Sequence, residues 1–477
     1  MPTLWLLGAA ALLRIAHAYG ASLQLDDFHT LHHAAAPTWR AFLESLRADN
    51  HPPLVPGLVR ALGFVASPVA AFRALQLVVA LALVVWTGRV AERLGGRRVR
   101  YIAEALVAFS ALHVELSTDL RMYGALALAG LALLDVALRI AEQRARWFPT
   151  VLIVAFGLHV HYHFVHALAG TLLVVAGAYL TGRLARPAVL RFAGGVLVGF
   201  LCFLPWGVYG FWHQVFGHSI APGSSHVDLM RFVQGLVHLL FHRTALLGPF
   251  AWVVYAPIAI AGMALAALGV ARASRPKERC ARGWLLGWAS FGVVAWSAVA
   301  ALLSDRAGFE WRYLAGALAP FAIALALGIA RLPGRAAPLI FLTASALLAG
   351  RLALDPGREN YRDAVAAIVA DVQPNDAVLA ADWQPTIFPR AIGWNWYAPR
   401  LTRQDLPTRI DHTQDFALVD ERLPFERIRV LTRSVPAHVP FFRQLEANFE
   451  RTAAHRYGEA IWLVTYRRRG SGPVQGR

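Results

Sequence analysis

Two adjacent carboxylates, Asp26 and Asp27, begin a polar stretch near the N-terminus that separates two apolar segments and spans residues 23–57. A carboxylate at such a boundary can accept a proton from a nucleophile, or it can cap a helix beginning near Phe28. An ordinary aspartate has a pKa of about 3.9 and would act late as a base, once charge has built up on the attacking atom. The pairing of the acids favours chemistry over capping.

His51 lies at the far end of the same stretch, directly before Pro52 and Pro53. Consecutive prolines form a stiff, extended element that orients the residue before them. Two interpretations stay open for this histidine. It marks an ordinary helix start with proline in the first turn, or it faces the headgroup of a bound lipid.

A second polar group, Glu115, Asp119, Arg121 and Tyr123, precedes another apolar segment. A guanidinium matches the geometry of phosphate, which favours Arg121 as a phosphate clamp. The alternative is a solvated helix boundary with a snorkelling arginine. Arg312, in the sequence EWRY, stands at a similar boundary, and both interpretations are equally open there.

Histidines are frequent near these groups: His29, His32, His33, His159, His161, His163 and His166. They do not match a metal-binding motif with a defined mechanism, such as HExxH. Hydrogen bonding to a polar headgroup is therefore the favoured role. We expect no cofactor, and a divalent metal is possible but not indicated.

The elements that must position these residues are membrane spans. The chain has 477 residues, of which 57% are hydrophobic, compared with about 45–50% in soluble domains. Its net charge of +17 comes largely from arginines in short loops between apolar segments. This is the positive-inside pattern of membrane proteins, so we expect membrane lipids and not nucleic acid as partners.

The apolar segments predict a mainly α-helical, polytopic bundle of about eleven spans, since a span needs about 20 apolar residues. The first contains Arg14, for which an ion pair and a phosphate-facing role are equally open. Residues 148–181 have basic flanks on both sides, which favours two short passes that turn near HVHYHFVH. The predicted spans are 4–23, one ending near 86, 101–117, 122–139, two within 148–181, 189–208, 248–271, 284–303, 313–330 and 336–354.

This pattern divides the chain into a membrane domain, 1–354, and a soluble domain, 355–477. The first includes an interfacial outer loop, 23–57, with an amphipathic helix at 38–47. In the second, a helical stripe from Tyr361 and the strand-like segments AVLAAD, FALVD, RIRVL and IWLVTY predict a small α/β domain, with a helix at PFFRQLEANF. Its basic tail is predicted to be disordered.

The order of these motifs resembles the GT-C type of membrane glycosyltransferase. The elements are an acid pair after the first span, HPPL, DLRMY before the fourth span and RY before a late span. The nearest group is that of the dolichyl-phosphate-mannose protein mannosyltransferases and lipid A aminoarabinose transferases, glycosyltransferase family 39. The resemblance covers roughly residues 1–385. One departure is that the acid pair is Asp-Asp here and usually Asp-Glu in the family.

This resemblance implies transfer of a sugar from a polyprenyl-phosphate donor to a lipid, glycan or protein acceptor. Asp26 matches the catalytic base, with Asp27 beside it. His51, Arg121 and Arg312 are then expected at the donor phosphate. The remaining substrate-binding residues would be Asp119, Tyr123, His161 and His163.

The positive-inside rule places the basic loops in the cytoplasm, with the N-terminus inside and the C-terminal domain outside. The resemblance places the protein in a bacterial inner membrane. Two other functions remain open: a transporter or flippase of a lipid-linked sugar, and a non-catalytic assembly partner. A transporter would show inverted repeats and polar residues at mid-membrane, and neither is evident in the sequence.

Overall fold

Helices make up most of the computed structural model. It describes residues 2–144, 146–217, 229–275, 280–303, 309–355, 357, 359–371, 373, 376–381, 396–398, 408–410, 425–433 and 445–470. The described residues form two compact units. The membrane unit comprises Met1–Tyr19 and His33–Leu354, and the C-terminal unit comprises Gly20–His32 and Asp355–Arg477.

The α-helices follow one another along the chain with short connections. They are α1 (Pro2–Gly20), α2 (Leu25–Ala34), α3 (Trp39–Arg47), α4 (Leu54–Gly63), α5 (Pro68–Gly95), α6 (Arg97–Ala108), α7 (Ala111–Leu116), α8 (Tyr123–Ala141), α9 (Trp147–Val160), α10 (Phe164–Leu180), α11 (Arg186–Trp206), α12 (Leu229–Leu240), α13 (Ala251–Ala273), α14 (Cys280–Gly287), α15 (Val293–Leu303), α16 (Ala315–Ile329), α17 (Ala336–Ala353) and α18 (Tyr361–Ala370). Among the described residues, three π-helical segments (Gly207–Phe211, His213–Gly217 and Trp288–Gly292) and two 3-10 turns (Thr244–Leu247 and Trp311–Leu314) extend or join them.

Seven helices within the described residues are long and apolar enough to cross a membrane. They are Pro68–Gly95, Tyr123–Ala141, Arg186–Phe216, Ala251–Ala273, Ala281–Leu303, Trp311–Ile329 and Ala336–Ala353. The predicted class, a multi-pass membrane protein with a helical bundle, is confirmed. The count of about eleven spans stays a prediction.

Two predicted spans have different bounds in the structure. The second continues as one helix through most of the predicted basic loop and ends only at Gly95, because Gly96 takes a positive φ of 84°. The segment 101–117 is divided between α6 and α7, with the break at Phe109 and Ser110. By contrast, residues 148–181 form the two predicted short helices, α9 and α10, joined at 161–163.

Helix α16 lies at the centre of the membrane unit. All of its residues, Ala315–Ile329, are buried, and it packs against α13, α8, α6 and α5. Most of its side chains are small, and two of its residues are glycines. Small residues let helices approach closely where lipid gives no hydrophobic drive for association.

A close approach between α16 and α13 predicts a stability effect at Gly328. A Cβ added there would lie 1.9 Å from the carbonyl oxygen of Leu265 on α13, which the backbone cannot avoid without moving. We expect Gly328→Ala to destabilise the unit by about 1–3 kcal/mol, as overpacking does elsewhere. Thermal unfolding in detergent would measure it. Gly8→Ala is the matched control because nothing lies within 4 Å of its Cβ, and an equal transition temperature for both variants would contradict the close packing.

Arg14 has a structural role in the membrane unit. Its side chain is 1% exposed and donates to the carbonyl oxygens of Ala10 (2.9 Å) and Ala108 (3.1 Å). A further nitrogen lies 2.7 Å from Nδ1 of His113. The guanidinium therefore ties α1 to the α6–α7 connection, a structural role carried by hydrogen bonds to carbonyl oxygens and not by the ion pair that was one of the two open interpretations.

The C-terminal unit contains the predicted α/β domain. Its sheet has the strand order β2-β1-β3-β5-β4, formed by β1 (Asp376–Ala381), β2 (Thr408–Ile410), β3 (Arg427–Thr432), β4 (Phe449–Tyr457) and β5 (Ile461–Arg468). Strand β1 is parallel to both β2 and β3, while β5 is antiparallel to β3 and β4.

Three of the four predicted strands are confirmed as β1, β3 and β5, whereas FALVD lies outside the described residues. The stripe on α18 is buried at Tyr361, Ala364, Val365 and Ile368. The predicted helix 440–449 is wrong at its end, since Phe449 begins strand β4 and is buried in the sheet core. The last residues, 471–477, lie outside the described part.

Residues 20–32 group with the C-terminal unit, whereas the sequence analysis places them in the membrane domain. The reason is packing within that unit. The amide of Leu25 donates to Glu359 at 2.6 Å, and the ring of Phe28 meets Tyr361 edge-on at 5.7 Å between centroids. The side chains of Leu25 and Phe28 are both buried.

Candidate active site

The residues predicted to bind phosphate come together in the membrane unit around His51. Its Nδ1 is 3.2 Å from Oδ2 of Asp49, and its Nε2 is 2.8 Å from Nη2 of Arg121. A guanidinium only donates hydrogen bonds, so Nε2 accepts and the ring proton sits on Nδ1, where it is donated to Asp49. Asp49 thus fixes the tautomer of His51, and His51 orients Arg121.

Arg121, just before α8, is held through both its backbone and its side chain. The residue is 4% exposed, and its carbonyl oxygen accepts a hydrogen bond of 2.7 Å from Nε2 of Gln76 on α5. Anchoring of the backbone and contact with His51 restrict the guanidinium to a small range of positions. Such preorganisation is what a phosphate clamp requires.

Arg312 reaches the same region from the 3-10 turn before α16. Its guanidinium lies 5.7 Å from the centroid of the Tyr123 ring, and Nε is 3.1 Å from Oε2 of Glu310. The turn is short and followed immediately by the buried helix α16, which fixes where the arginine emerges. Arg312 therefore comes to this region from a different element than Arg121, which directly precedes α8.

Aromatic and imidazole rings form a wall beside these cations. The ring of Tyr313 lies 4.3 Å from His163 and 5.2 Å from His161, between centroids. Tyr123 lies 5.7 Å from His161 and 6.2 Å from Tyr313. The predicted substrate-binding residues Tyr123, His161 and His163 are thus brought together, and Tyr313 joins them.

His161 occupies the turn between α9 and α10 and is enclosed by this cluster. Burial holds the pKa of His161 well below its ordinary value, and electrostatic interactions with His163, His51, Arg121 and Arg312 lower it further. The imidazole is therefore neutral at neutral pH. Both arginines lie near enough to this buried ring for their charges to act on it.

A hydrogen-bonded chain from α11 holds the backbone of His51. Nε2 of Gln214 donates to the carbonyl oxygens of Leu46 (2.6 Å) and His51 (3.2 Å). Its amide oxygen accepts from the hydroxyl of Tyr162, which itself accepts from the Trp206 indole at 2.9 Å. Gln214 sits on the π-helical extension of α11, a kind of irregularity that is frequent at functional sites.

A second buried polar group, formed by Glu115, His242 and Arg243, lies next to the turn that carries Arg312. Oε2 of Glu115 is 2.8 Å from Nε2 of His242 and 3.6 Å from Nη1 of Arg243. The His242 ring stacks on Trp311 at 4.2 Å between centroids. Trp311 directly precedes Arg312, so this group supports the turn that carries the arginine.

The acid pair lies in the C-terminal unit, at the start of α2. Oδ2 of Asp27 accepts the amide hydrogen of Gln24 at 3.0 Å, which is the acid half of a capping box, and Asp27 is 1% exposed. Asp26 occupies the preceding position of the same helical turn and is half-buried. The two acids therefore differ locally: Asp27 caps the helix, and Asp26 is more exposed to solvent.

The other predicted residues are distributed between the units. Asp119 lies in the α7–α8 connection and is partly exposed. His29 and His32 belong to the C-terminal unit, whereas His33 lies in the membrane unit with Nε2 3.6 Å from Asp49.

The sequence analysis did not select Asp49, Tyr313 or Gln214 for a role in the site. Asp49 and Tyr313 stand beside selected residues, and that adjacency was a usable signal. Gln214 had none, since it lies far along the chain from His51.

Comparison with known proteins finds similarity in structure and not in sequence. No protein-family model matches the chain, and no curated protein matches it closely enough to count as a relative. The crystal structure of ArnT from Cupriavidus metallidurans bound to undecaprenyl phosphate matches with a TM-score of 0.55 at 10% identity, covering 96% of each chain. The apo structure of the same protein gives 0.54, with 95% of each chain covered. The fold is that of ArnT.

The ArnT-like fold confirms the predicted GT-C architecture over nearly the whole chain. At 10% identity the match concerns the fold, not the activity. A weaker likeness to the oligosaccharyltransferase of Archaeoglobus fulgidus has a TM-score of 0.45 at 12% identity and covers 90% of this chain and 68% of that one.

Proposed function

We propose that this protein is a glycosyltransferase that moves a sugar from a polyprenyl-phosphate donor to an acceptor on the outer face of the membrane. The observation that carries the proposal is the placement of two arginines around the buried ring of His161. Arg121 lies 2.8 Å from His51 and Arg312 lies 5.7 Å from the centroid of the Tyr123 ring, and the His51 and Tyr123 rings are 6.1 and 5.7 Å from that of His161. Two cations in a protected position suit a phosphate whose lipid tail remains in hydrocarbon. ArnT, which shares the fold, is known in complex with undecaprenyl phosphate.

The chemistry needs a base, cations and alignment. As the acceptor oxygen attacks the anomeric carbon of the sugar, its proton passes to the carboxylate of Asp26. The bond between that carbon and the phosphate oxygen breaks, and the electron pair stays on the phosphate, whose charge Arg121 and Arg312 balance. A single displacement of this kind inverts the configuration at the anomeric carbon.

Each predicted residue has a place in this proposal. His51 acts at the phosphate by orienting Arg121, while Tyr123 and His163 form the wall against which the sugar phosphate rests. Asp119 is proposed for contact with the substrate, and Asp27 for support of Asp26 through the start of α2. The acceptor is a lipid, a glycan or a protein.

The proposed orientation follows from charge. Arginines concentrate in the connections and adjoining helix ends around residues 97–100, 139–146 and 183–191, and the positive-inside rule places such regions in the cytoplasm. The C-terminal unit then faces the outside of a bacterial inner membrane, where a lipid-linked sugar is presented.

The donor class can be tested with purified protein in detergent. We expect polyprenyl phosphate to be released from a panel of polyprenyl-phosphate sugars in the presence of a cell-envelope extract as acceptor source, and no reaction with nucleotide sugars. Turnover of a nucleotide sugar, with every lipid-linked sugar left intact, would refute the proposed donor.

The orientation of Arg121 predicts an effect of Asp49→Ala. Without the carboxylate that accepts the Nδ1 proton of His51, the ring loses its preferred tautomer, and in the other tautomer Nε2–H points a second donor at Arg121. We expect the KM for the lipid donor to rise about 10-fold, equivalent to about 1.4 kcal/mol, with kcat little changed. Initial rates across donor concentrations would measure it, and an unchanged KM would contradict the role of Asp49.

A further inference from the structure

The hydrogen bonds around His161 determine where its ring proton sits. Nδ1 of His161 is 3.0 Å from the backbone nitrogen of His163, which carries a hydrogen and can only donate. Nδ1 is therefore an acceptor. In a neutral imidazole the proton is then on Nε2, which becomes a donor.

This Nε2 donor has no hydrogen-bond partner within the part of the chain that the structure describes. It is also sealed from bulk solvent, and the whole residue is 5% exposed. A buried donor left without an acceptor costs about 1–3 kcal/mol. Such a cost is commonly found where a ligand supplies the missing acceptor.

The surroundings of His161 select the kind of ligand. His51, with the guanidinium of Arg121 on its Nε2, lies 6.1 Å from the His161 ring, and Tyr313 lies 5.2 Å from it. Arg312 reaches the same cluster, with its guanidinium 5.7 Å from the centroid of the Tyr123 ring, which itself lies 5.7 Å from that of His161. A cation would be repelled here, whereas an oxygen anion would meet two positive charges and one neutral donor.

We propose that Nε2–H of His161 donates a hydrogen bond to a phosphate oxygen held by Arg121 and Arg312. The inference rests on the proposed function in that the phosphate is the one carried by the lipid donor or released with the lipid product. A neutral donor adds a directed hydrogen bond without adding charge. It therefore helps to place the phosphate and leaves the product easier to release than a third cation would.

A pair of substitutions separates the two nitrogens of the ring. In His161→Asn the amide lies near the position of Nδ1 and can still accept from the amide of His163, but it has no donor at the position of Nε2. In His161→Gln the amide reaches the position of Nε2 and can supply the donor. The matched control is His159→Gln, two residues earlier near the end of α9, whose Nδ1 donates to the carbonyl oxygen of Ala155 at 2.8 Å.

Binding of a short-chain prenyl phosphate to the purified full-length protein is the test. We expect its Kd to rise about 10- to 100-fold in His161→Asn, the loss of one hydrogen bond to a charged group, and to stay within about threefold of wild type in His161→Gln and His159→Gln. Competition by inorganic phosphate distinguishes a general phosphate site from one that also needs the lipid. Equal affinity of the Asn and Gln variants would overturn the proposal.

A failure of this inference can be distinguished from a failure of the proposed function, because the binding test needs neither a sugar nor turnover. A wild-type chain that transfers sugar but binds prenyl phosphate independently of His161 would refute only this inference. A chain that binds through His161 but transfers no sugar would refute only the function. Should both His161 variants unfold, a structure of the wild-type complex decides, since a phosphate oxygen outside hydrogen-bond distance of Nε2 would contradict the assignment.

Discussion

Replacing Asp26 with asparagine is expected to abolish sugar transfer while the protein still folds and inserts. The amide cannot take the proton of the acceptor, and general base catalysis commonly contributes about 10²- to 10⁴-fold. We expect a fall of that size in kcat, with the KM for the lipid donor nearly unchanged. The rate of polyprenyl phosphate release by purified wild-type and variant proteins would measure it.

Asp27 supplies the control for this experiment. In Asp27→Asn the amide oxygen can still accept the hydrogen bond from the Gln24 amide that the carboxylate now accepts. We therefore expect Asp27→Asn to keep most of the activity, and Asp27→Ala to lose about 1 kcal/mol of stability through the missing cap. Full activity in Asp26→Asn together with an inactive Asp27→Asn would assign the base to the other acid.

Replacing Arg121 with alanine is expected to weaken use of the lipid donor. Hydrogen bonds to charged groups contribute about 1.5–3 kcal/mol, which corresponds to a rise in KM of about 10- to 100-fold. Arg121→Lys keeps the charge but loses the two-pronged geometry, so an intermediate effect is expected. Steady-state rates at varied concentrations of the polyprenyl-phosphate sugar would measure both.

Arg40 is the matched arginine for this comparison. It lies on α3 with its side chain 88% exposed and is paired with Glu44 at 2.9 Å. Arg40→Ala removes the same charge from the protein without touching the site, so its KM should equal that of wild type. An Arg121→Ala protein that behaves like Arg40→Ala would exclude the phosphate clamp.

The sequence predicts the architecture well because membrane helices can be recognised from the length and hydropathy of their apolar segments. The two short helices within residues 148–181 follow from basic flanks that no single helix could place on one side. The bounds are less predictable. Helix α5 continues to Gly95 since nothing in its basic end breaks a helix before that glycine.

The sequence predicts which residues lie in the candidate site, but it does not predict what each of them does there. Motif order and the helix boundaries pointed to Arg121, Arg312 and His51. The direction of each hydrogen bond could not be read from the sequence, because it depends on which atom faces which partner. That His51 accepts from Arg121, and so carries its proton on the other nitrogen, appears only in the structure.

The grouping of residues 20–32 with the C-terminal unit was also beyond sequence reasoning. Leu25 and Phe28 flank the acid pair just after the first predicted span, and nothing local distinguishes contact with lipid from contact with Glu359 and Tyr361. Long-range packing decides such segments, since propensity and hydropathy act only over neighbouring residues.

The central claim, that the protein transfers a sugar from a lipid phosphate, is tested most directly by stoichiometry in detergent. Without a membrane a transporter produces no chemical change, and neither does an assembly partner that only shares the fold. We predict one glycosylated acceptor for each polyprenyl phosphate released by the wild-type protein, and neither product with Asp26→Asn. An intact donor after incubation of folded wild-type protein with lipid-linked sugars and envelope acceptors would contradict the account.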